Sequence, residues 1–327
     1  MAVISYIDAI IKALREEMER DEKVFVLGED VGKKGGVFKA TAGLYEQFGA
    51  ERVIDTPLAE SAIAGVGVGA AMYGMRPVAE IQFADFILPA VNQIISEAAK
   101  IRYRTNNDWQ CPLVVRAPYG GGVHGALYHS QSLESVFANQ PGLKIVMPST
   151  PYDVKGLLKA AIRDDDPVLF FEHKRAYRLI KGEVPDDDYV LPIGKAEVKR
   201  EGTDITVITY GLCVHFALQA AEKLREDGIE AHILDLRTVY PLDKEAIIEA
   251  AAKTGKVLLV TEDNKEGSII GEVAAIIAEN CLFDLDAPIM RLAGPDVPAM
   301  PYAPSMEKYF MVNPEKVEKA MRELAEF

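Results

Sequence analysis

Positive charge is scarce in this chain: 36 Lys and Arg stand against 50 Asp and Glu over 327 residues, a net charge of −14. Phosphate backbones are held by positive surfaces, so the deficit excludes nucleic acid as a partner. An acidic surface suits a basic protein partner instead. Cysteine is equally sparse, with Cys111, Cys213 and Cys281 far apart, odd in number and never in a C-x-x-C pair. That excludes a disulfide framework and points to free thiols in a reducing compartment. No apolar run is long enough to cross a bilayer, which argues against a membrane protein. Residues 4–20 place apolar side chains at helical spacing among acids. The pattern fits a docked amphipathic helix and not a signal or transit peptide. These features suit a cytoplasmic bacterial protein, the mature form of an organellar protein being the other reading.

What is present is an ordinary globular composition, 49% hydrophobic and 26% charged, on a chain long enough for two domains. Short apolar runs at 24–27, 78–81, 113–116, 144–147 and 168–171 read as strands. Helical patterns at 5–20, 58–73, 89–103 and 151–163 alternate with them. Such alternation predicts an α/β fold with mostly parallel sheets covered by helices. Pro185, Pro192 and three consecutive aspartates break the rhythm, so 186–203 reads as a linker between domains at 1–185 and 204–327. Strands then fit 205–209, 231–236, 257–261 and 288–292, and helices fit 216–226, 244–253, 269–279 and 314–325.

Residues 120–132 read Gly-Gly-Gly-Val-His-Gly-Ala-Leu-Tyr-His-Ser-Gln-Ser and hold two of the five histidines, His124 and His129. Glycine allows close backbone approach and imidazole moves protons near neutral pH. Either a reaction site or an ordinary polar loop fits these residues alone. Upstream lie Asp55-Thr56-Pro57-Leu58-Ala59-Glu60 and Glu80-Ile81-Gln82-Phe83-Ala84-Asp85-Phe86. Taken with His129-Ser-Gln-Ser, these strings resemble the beta subunit of the decarboxylating first component of 2-oxo acid dehydrogenase complexes. The resemblance runs over the whole chain from Gly28-Glu29-Asp30-Val31, and Gly-Ala-Leu-Tyr-His-Ser-Gln-Ser is most similar to the branched-chain (2-oxoisovalerate) type. It implies a transketolase-like pyrimidine-binding domain followed by a transketolase C-terminal domain.

On its residues alone, Glu60 is an acid in a first helical turn that Thr56 could cap and Pro57 could open. The resemblance implies more: the matching glutamate hydrogen-bonds the aminopyrimidine ring nitrogen of thiamine diphosphate and promotes proton removal from the thiazolium carbon. A desolvated carboxyl does this best, and Leu58, Ala59, Ile63 and Ala64 are apolar neighbours able to desolvate it. Phe86 reads as core; the resemblance puts an aromatic there against the pyrimidine, with Leu58 and Gln82 also lining the cofactor. His129 matches the histidine that serves reductive acylation of the lipoyl group. His124 reads as a loop hydrogen-bonder. The spacing of 124 to 129 is not that of helix-borne zinc ligands. Gly65-Val-Gly-Val-Gly69 lies inside a helical pattern, which excludes a dinucleotide fingerprint.

Thiamine enzymes hold Mg²⁺ through a Gly-Asp-Gly motif, and this chain has none. The resemblance therefore implies half an active site, with the alpha subunit bringing the diphosphate and Mg²⁺ site in an α2β2 heterotetramer. It also implies contact with the second beta subunit, and docking of the lipoyl acyltransferase component through its subunit-binding and lipoyl domains. Branched-chain members can also hold potassium, here near Leu113, Ala161, Asp164 and Asp166. The expected activity is thiamine-dependent oxidative decarboxylation of branched-chain 2-oxo acids with acyl transfer to lipoyl. Pyruvate or acetoin as substrate, or a non-catalytic assembly subunit, are the rival readings.

Overall fold

The computed structural model describes residues 2–327. They form two compact units, the first made of the chain up to Tyr119 with Val136–Ile193, the second of Gly120–Ser135 with Gly194–Phe327.

In the first unit, β1 (Ala2–Ser5) leads into helix α1 (Tyr6–Arg20). A capping box starts α1: the Ser5 side chain accepts from the Asp8 N–H and the Asp8 carboxylate accepts from the Ser5 N–H. Six strands follow: β2 (Val24–Gly28), β3 (Val53–Asp55), β4 (Arg76–Glu80), β5 (Val114–Tyr119), β6 (Lys144–Val146) and β7 (Val168–His173). They lie in the order β6-β7-β5-β4-β2-β3 and are all parallel. Runs such as Val24-Phe-Val-Leu-Gly28 are buried along their whole length, as parallel strands covered on both faces must be. Helices α2 (Glu60–Met72) and α3 (Pro151–Arg163) belong to this unit. β8 (Lys181–Val184) pairs antiparallel with β1.

Two charged clusters sit inside this unit. Arg116 on β5 is fully buried, gripping Glu172 through Nε at 2.6 Å and Nη2 at 2.7 Å, and Glu80 through Nη1 at 2.7 Å. Lys155, Lys159 and Arg163, four residues apart along α3, meet α1: Lys155 and Lys159 reach Glu16 at 3.0 and 2.5 Å, and Arg163 reaches Glu17 at 2.6 Å. Lys159 and Arg163 also hold Asp188 at 2.5 and 2.7 Å. The aspartate run expected in a linker is thereby fixed to a helix.

In the second unit, β9 (Glu197–Arg200), β10 (Ile205–Thr209), β11 (Ala231–Asp235), the short β12 (Thr238–Tyr240), β13 (Val257–Asn264) and β14 (Met290–Gly294) alternate with helices. The sheet order is β14-β13-β10-β11-β9, parallel except for β9 at the edge. The helices are α4 (Leu212–Glu226), α5 (Lys244–Thr254), α6 (Ile269–Cys281), α7 (Pro304–Phe310) and α8 (Pro314–Ala325). Asp243 and Asn313 cap α5 and α8 with their side chains.

Three expectations need correction. Residues 197–200 lie in the expected linker but form β9, whose Arg200 reaches Glu230 at 2.5 Å and the Ala231 carbonyl at 2.7 Å. The helix expected at 89–103 is broken into short 3₁₀ turns, a wide π turn at Asn92–Glu97 and a final α turn at Ile101–Arg104. Residues 120–135 group with the second unit because their partners are side chains far along the chain.

Candidate active site

Because the strands of the first sheet are parallel, their carboxyl ends share one edge, where open α/β sheets bind ligands. Glu29 follows β2, residues 56–60 follow β3, and Gln82 and Phe86 follow β4. Main-chain and side-chain bonds lace these loops together. The Thr56 N–H donates to the Gly28 carbonyl at 2.9 Å, Gln82 Nε2 to the Glu29 carbonyl at 3.4 Å, and the Gly32 N–H to Asp55 Oδ1 at 2.6 Å. Gly32 leaves no room for a side chain, since a Cβ there would run into the Asp55 carboxylate.

Helix α2 begins at Glu60, later than expected. Thr56 does not cap it; the cap residue is Ala59, with no side-chain bond. Glu60 is still in the first turn, where the helix dipole favours an anion. Thr56 Oγ1 is left buried with no hydrogen-bond partner. Glu29 has its carboxyl raised above the ordinary range, first by burial and then by Asp30 and Glu60, with Lys34 opposing. Of the apolar neighbours expected around Glu60, Ile63 and Ala64 are buried, but Leu58 is 72% exposed. Leu58 therefore gives Glu60 no buried apolar cover in this chain by itself.

Phe86 ends a short turn over Ala84–Phe86 and is half-buried. Its ring meets Phe83 edge-on at 5.8 Å, and Phe83 meets Phe38 at 5.3 Å, forming an aromatic wall beside the loops.

His129 belongs to the second unit, on a loop bent by positive φ at Gly120, Gly122, His124 and Ala126. Acids hold it. The Gly121 N–H donates to Glu262 Oε1 at 2.5 Å, Ser135 Oγ to Asp263 Oδ2 at 2.6 Å, and Tyr210 to Glu134 Oε1 at 2.8 Å. His124 Nδ1 lies 2.7 Å from Glu307 Oε2. Burial, with Asp263 and Glu262 adding repulsion, pushes the Glu134 carboxyl up to about 8. A cavity of about 90 Å³ lies against the loop, lined by Gln131, Ser132, Glu262, Asn264 and Met300 among others.

Thus Glu60, Leu58, Gln82 and Phe86 gather at the edge of the first sheet, and His129 stands on a braced loop of the second unit. Sequence reasoning missed Glu29, Glu134, Glu262, Asp263 and Glu307. The one signal was that Glu262-Asp263-Asn264 ends an apolar strand run, as residues at a functional sheet edge do.

Comparison with known proteins agrees with this layout. Residues 2–180 match the family described as "Transketolase, pyrimidine binding domain", and residues 194–317 match "Transketolase, C-terminal domain". The chain is 86% identical over 327 residues to the 2-oxoisovalerate dehydrogenase subunit beta of Bacillus subtilis (strain 168), covering 100% of each. The chain belongs to the 2-oxo acid dehydrogenase beta-subunit family. This family is thiamine-diphosphate-dependent. Another beta subunit of the family, that of the pyruvate dehydrogenase E1 component of the same organism, is 48% identical over 327 residues and covered in full. A solved structure described as "Split gene transketolase, inactive beta4 tetramer" superposes with a TM-score of 0.79 at 23% identity, over 99% of this chain and 98% of that one. At that identity it speaks for the fold alone.

For a family member the residues fit a thiamine pyrimidine ring. Glu60 can share a proton with a ring nitrogen, Phe86 can offer a ring face, and the unpaired Thr56 hydroxyl awaits a polar partner. The stretch expected near potassium is different. The Leu113 carbonyl accepts from the Val168 N–H at 2.9 Å and the Ala161 carbonyl from the Asp164 N–H at 3.3 Å. Arg76 Nη1 donates to the Ile162 and Asp164 carbonyls, both at 3.0 Å. Lys144 holds the Asp164 carboxylate at 2.6 Å and Arg102 holds Asp166 at 2.5 Å. Three side-chain cations share the acidic run, each carbonyl has two lone pairs, and potassium on these oxygens stays a proposal.

Proposed function

We propose that this chain is the beta subunit of a branched-chain 2-oxo acid dehydrogenase, carrying out oxidative decarboxylation with acyl transfer to a lipoyl group. The observation that carries the substrate assignment is the full-length 86% identity to a 2-oxoisovalerate dehydrogenase beta subunit, against 48% to a pyruvate dehydrogenase one. Thiamine diphosphate, when bound, supplies the nucleophilic carbon for decarboxylation. Glu60 holds the proton at the pyrimidine ring nitrogen. Phe86 offers the flat apolar face, and Leu58 and Gln82 complete the lining. As one lipoyl sulfur takes the acyl group and the S–S bond breaks, His129 gives a proton to the other, released sulfur.

The alpha subunit supplies the diphosphate and Mg²⁺ site that this chain lacks, in an α2β2 tetramer with a second beta subunit. The exposed Leu58 beside Glu60 is consistent with a wall built by a partner. The net charge of −14 suits a basic subunit-binding domain on the acyltransferase component. No helix among the described residues is long and apolar enough to cross a membrane, and with a bacterial relative this favours the cytoplasm. The test is Glu60→Gln in the assembled tetramer. Turnover should fall by at least about 10²-fold, the usual size of a general acid–base contribution, with the melting temperature unchanged. Turnover within threefold of the parent would remove Glu60 from this role.

A further inference from the structure

We propose that Glu307 is a positioning residue for acyl transfer: it clamps the strained loop that carries His129 by gripping His124. The inference rests on the assignment of His129 made above. His124 adopts φ of +55° and Ala126 φ of +52°, in the left-handed region that side chains other than glycine seldom enter. Such residues persist only where their surroundings over-determine them. At His124 one buried carboxylate grips the residue twice. Glu307 Oε1 accepts from the His124 main-chain N–H at 3.2 Å, and Oε2 sits 2.7 Å from the ring Nδ1. Both atoms of the carboxylate are thus spent on one residue, fixing its backbone and its ring together. The His124 side chain is itself 60% exposed, so packing does not hold it. Glu307, by contrast, is 4% exposed on α7.

The clamp reaches His129 through Gly125. A Cβ on Gly125 would lie 2.7 Å from both the Cβ and the carbonyl oxygen of His129, and 3.0 Å from Ser130 Oγ. The backbone one residue past the clamped position is therefore in direct contact with His129, and no side chain can cushion the two. Displacing residue 124 must displace 129. The loop base is held separately, by the Gly121 N–H on Glu262 and the Gly120 N–H on the Gln131 carbonyl at 3.0 Å. Losing Glu307 should therefore free the tip, not the whole loop.

Hydrogen exchange and two activity assays on the assembled tetramer test this. In Glu307→Ala, amides of residues 122–130 should exchange at least tenfold faster while β10 and β13 are unchanged. The ratio of lipoyl-domain acylation to 2-oxo-acid-dependent dye reduction should fall at least tenfold, because dye reduction does not use His129. Glu307→Gln keeps an acceptor for the main-chain N–H and should bring that ratio back to within threefold of the parent. Should Glu307→Ala fail to fold, His124→Ala removes the ring contact without touching the buried acid and should show the same exchange and the same ratio change, in smaller measure. Unchanged exchange at the tip would overturn the clamp. Faster exchange with an unchanged ratio would overturn its positioning role. If His129→Ala itself left the ratio unchanged, the His129 assignment would fall, and the exchange result would still decide the clamp.

Discussion

Replacing Arg116 by methionine should cost the first unit several kcal/mol and make its stability fall with rising pH. Arg116 is the only cation gripping Glu80 and Glu172 in the bonds described above, and the three side chains are 0–3% exposed. Tyr177 donates a further bond to Glu172 Oε2 at 2.6 Å. Methionine conserves volume but strands two carboxylates in the interior. Breaking a buried pair by removing one partner costs about 3–5 kcal/mol. For a domain of this size each kcal/mol moves the melting temperature by about 2–4 °C, so a fall of roughly 10 °C is expected. Burial already raises the Glu80 carboxyl above its ordinary range, with Arg116 pulling it down. With the cation gone the rise must be larger. A carboxyl raised in the folded state contributes most below its unfolded pKa, and that contribution is lost as pH rises through the folded value. The variant should therefore be most like the parent near pH 4–5 and diverge towards pH 8. Removing all the charges together (R116M/E80L/E172L, with Y177F to avoid a stranded hydroxyl) should return most of the loss. Scanning calorimetry across that pH range reads both effects. A shift below about 3 °C with no pH slope would refute the reasoning.

Further outcomes follow from other groups. Glu134, pushed up from 4.5 to about 8 by burial with Asp263 and Glu262 near it, should make the second unit lose stability as pH rises from 4.5 to about 8 and level off above; Glu134→Gln should abolish that slope, as read from melting temperature against pH. Gly142 has φ of +101° and no room for a Cβ, which would meet the Ala99 carbonyl oxygen, so Gly142→Ala should destabilise by at least about 2 kcal/mol in urea titration.

The sequence showed its local structure far better than its long-range partners. Helices α3 and α8 match their expected ends because Pro151 and Pro314 open them and Thr150 and Asn313 cap them, signals that lie within four residues. Thr56 carried the same signal, yet the chain stays irregular to Ala59 and α2 starts at Glu60, so a cap residue does not by itself fix where a helix begins. Strands β1, β8 and β9 were missed because they are short and half-exposed and take their partners from distant segments. Of the proposed site, Glu60, Phe86 and His129 were nominated by their surrounding strings, and their roles stay proposals. Glu262, Asp263 and Glu307 were not, since what makes each matter is a bond across more than a hundred residues to a glycine, a serine and a histidine. Arg116 gave a local hint that went unread: a charge inside Val-Val-Arg-Ala must have a buried partner.

The central claim is the chemistry and its substrate. It is tested most directly by dye reduction with this chain assembled with its alpha partner, thiamine diphosphate and Mg²⁺, comparing 3-methyl-2-oxobutanoate with pyruvate. The account predicts turnover that requires the cofactor, with kcat/KM at least tenfold higher for the branched acid. Preference for pyruvate would contradict the substrate assignment, and no turnover of either acid by an intact tetramer would contradict the account as a whole.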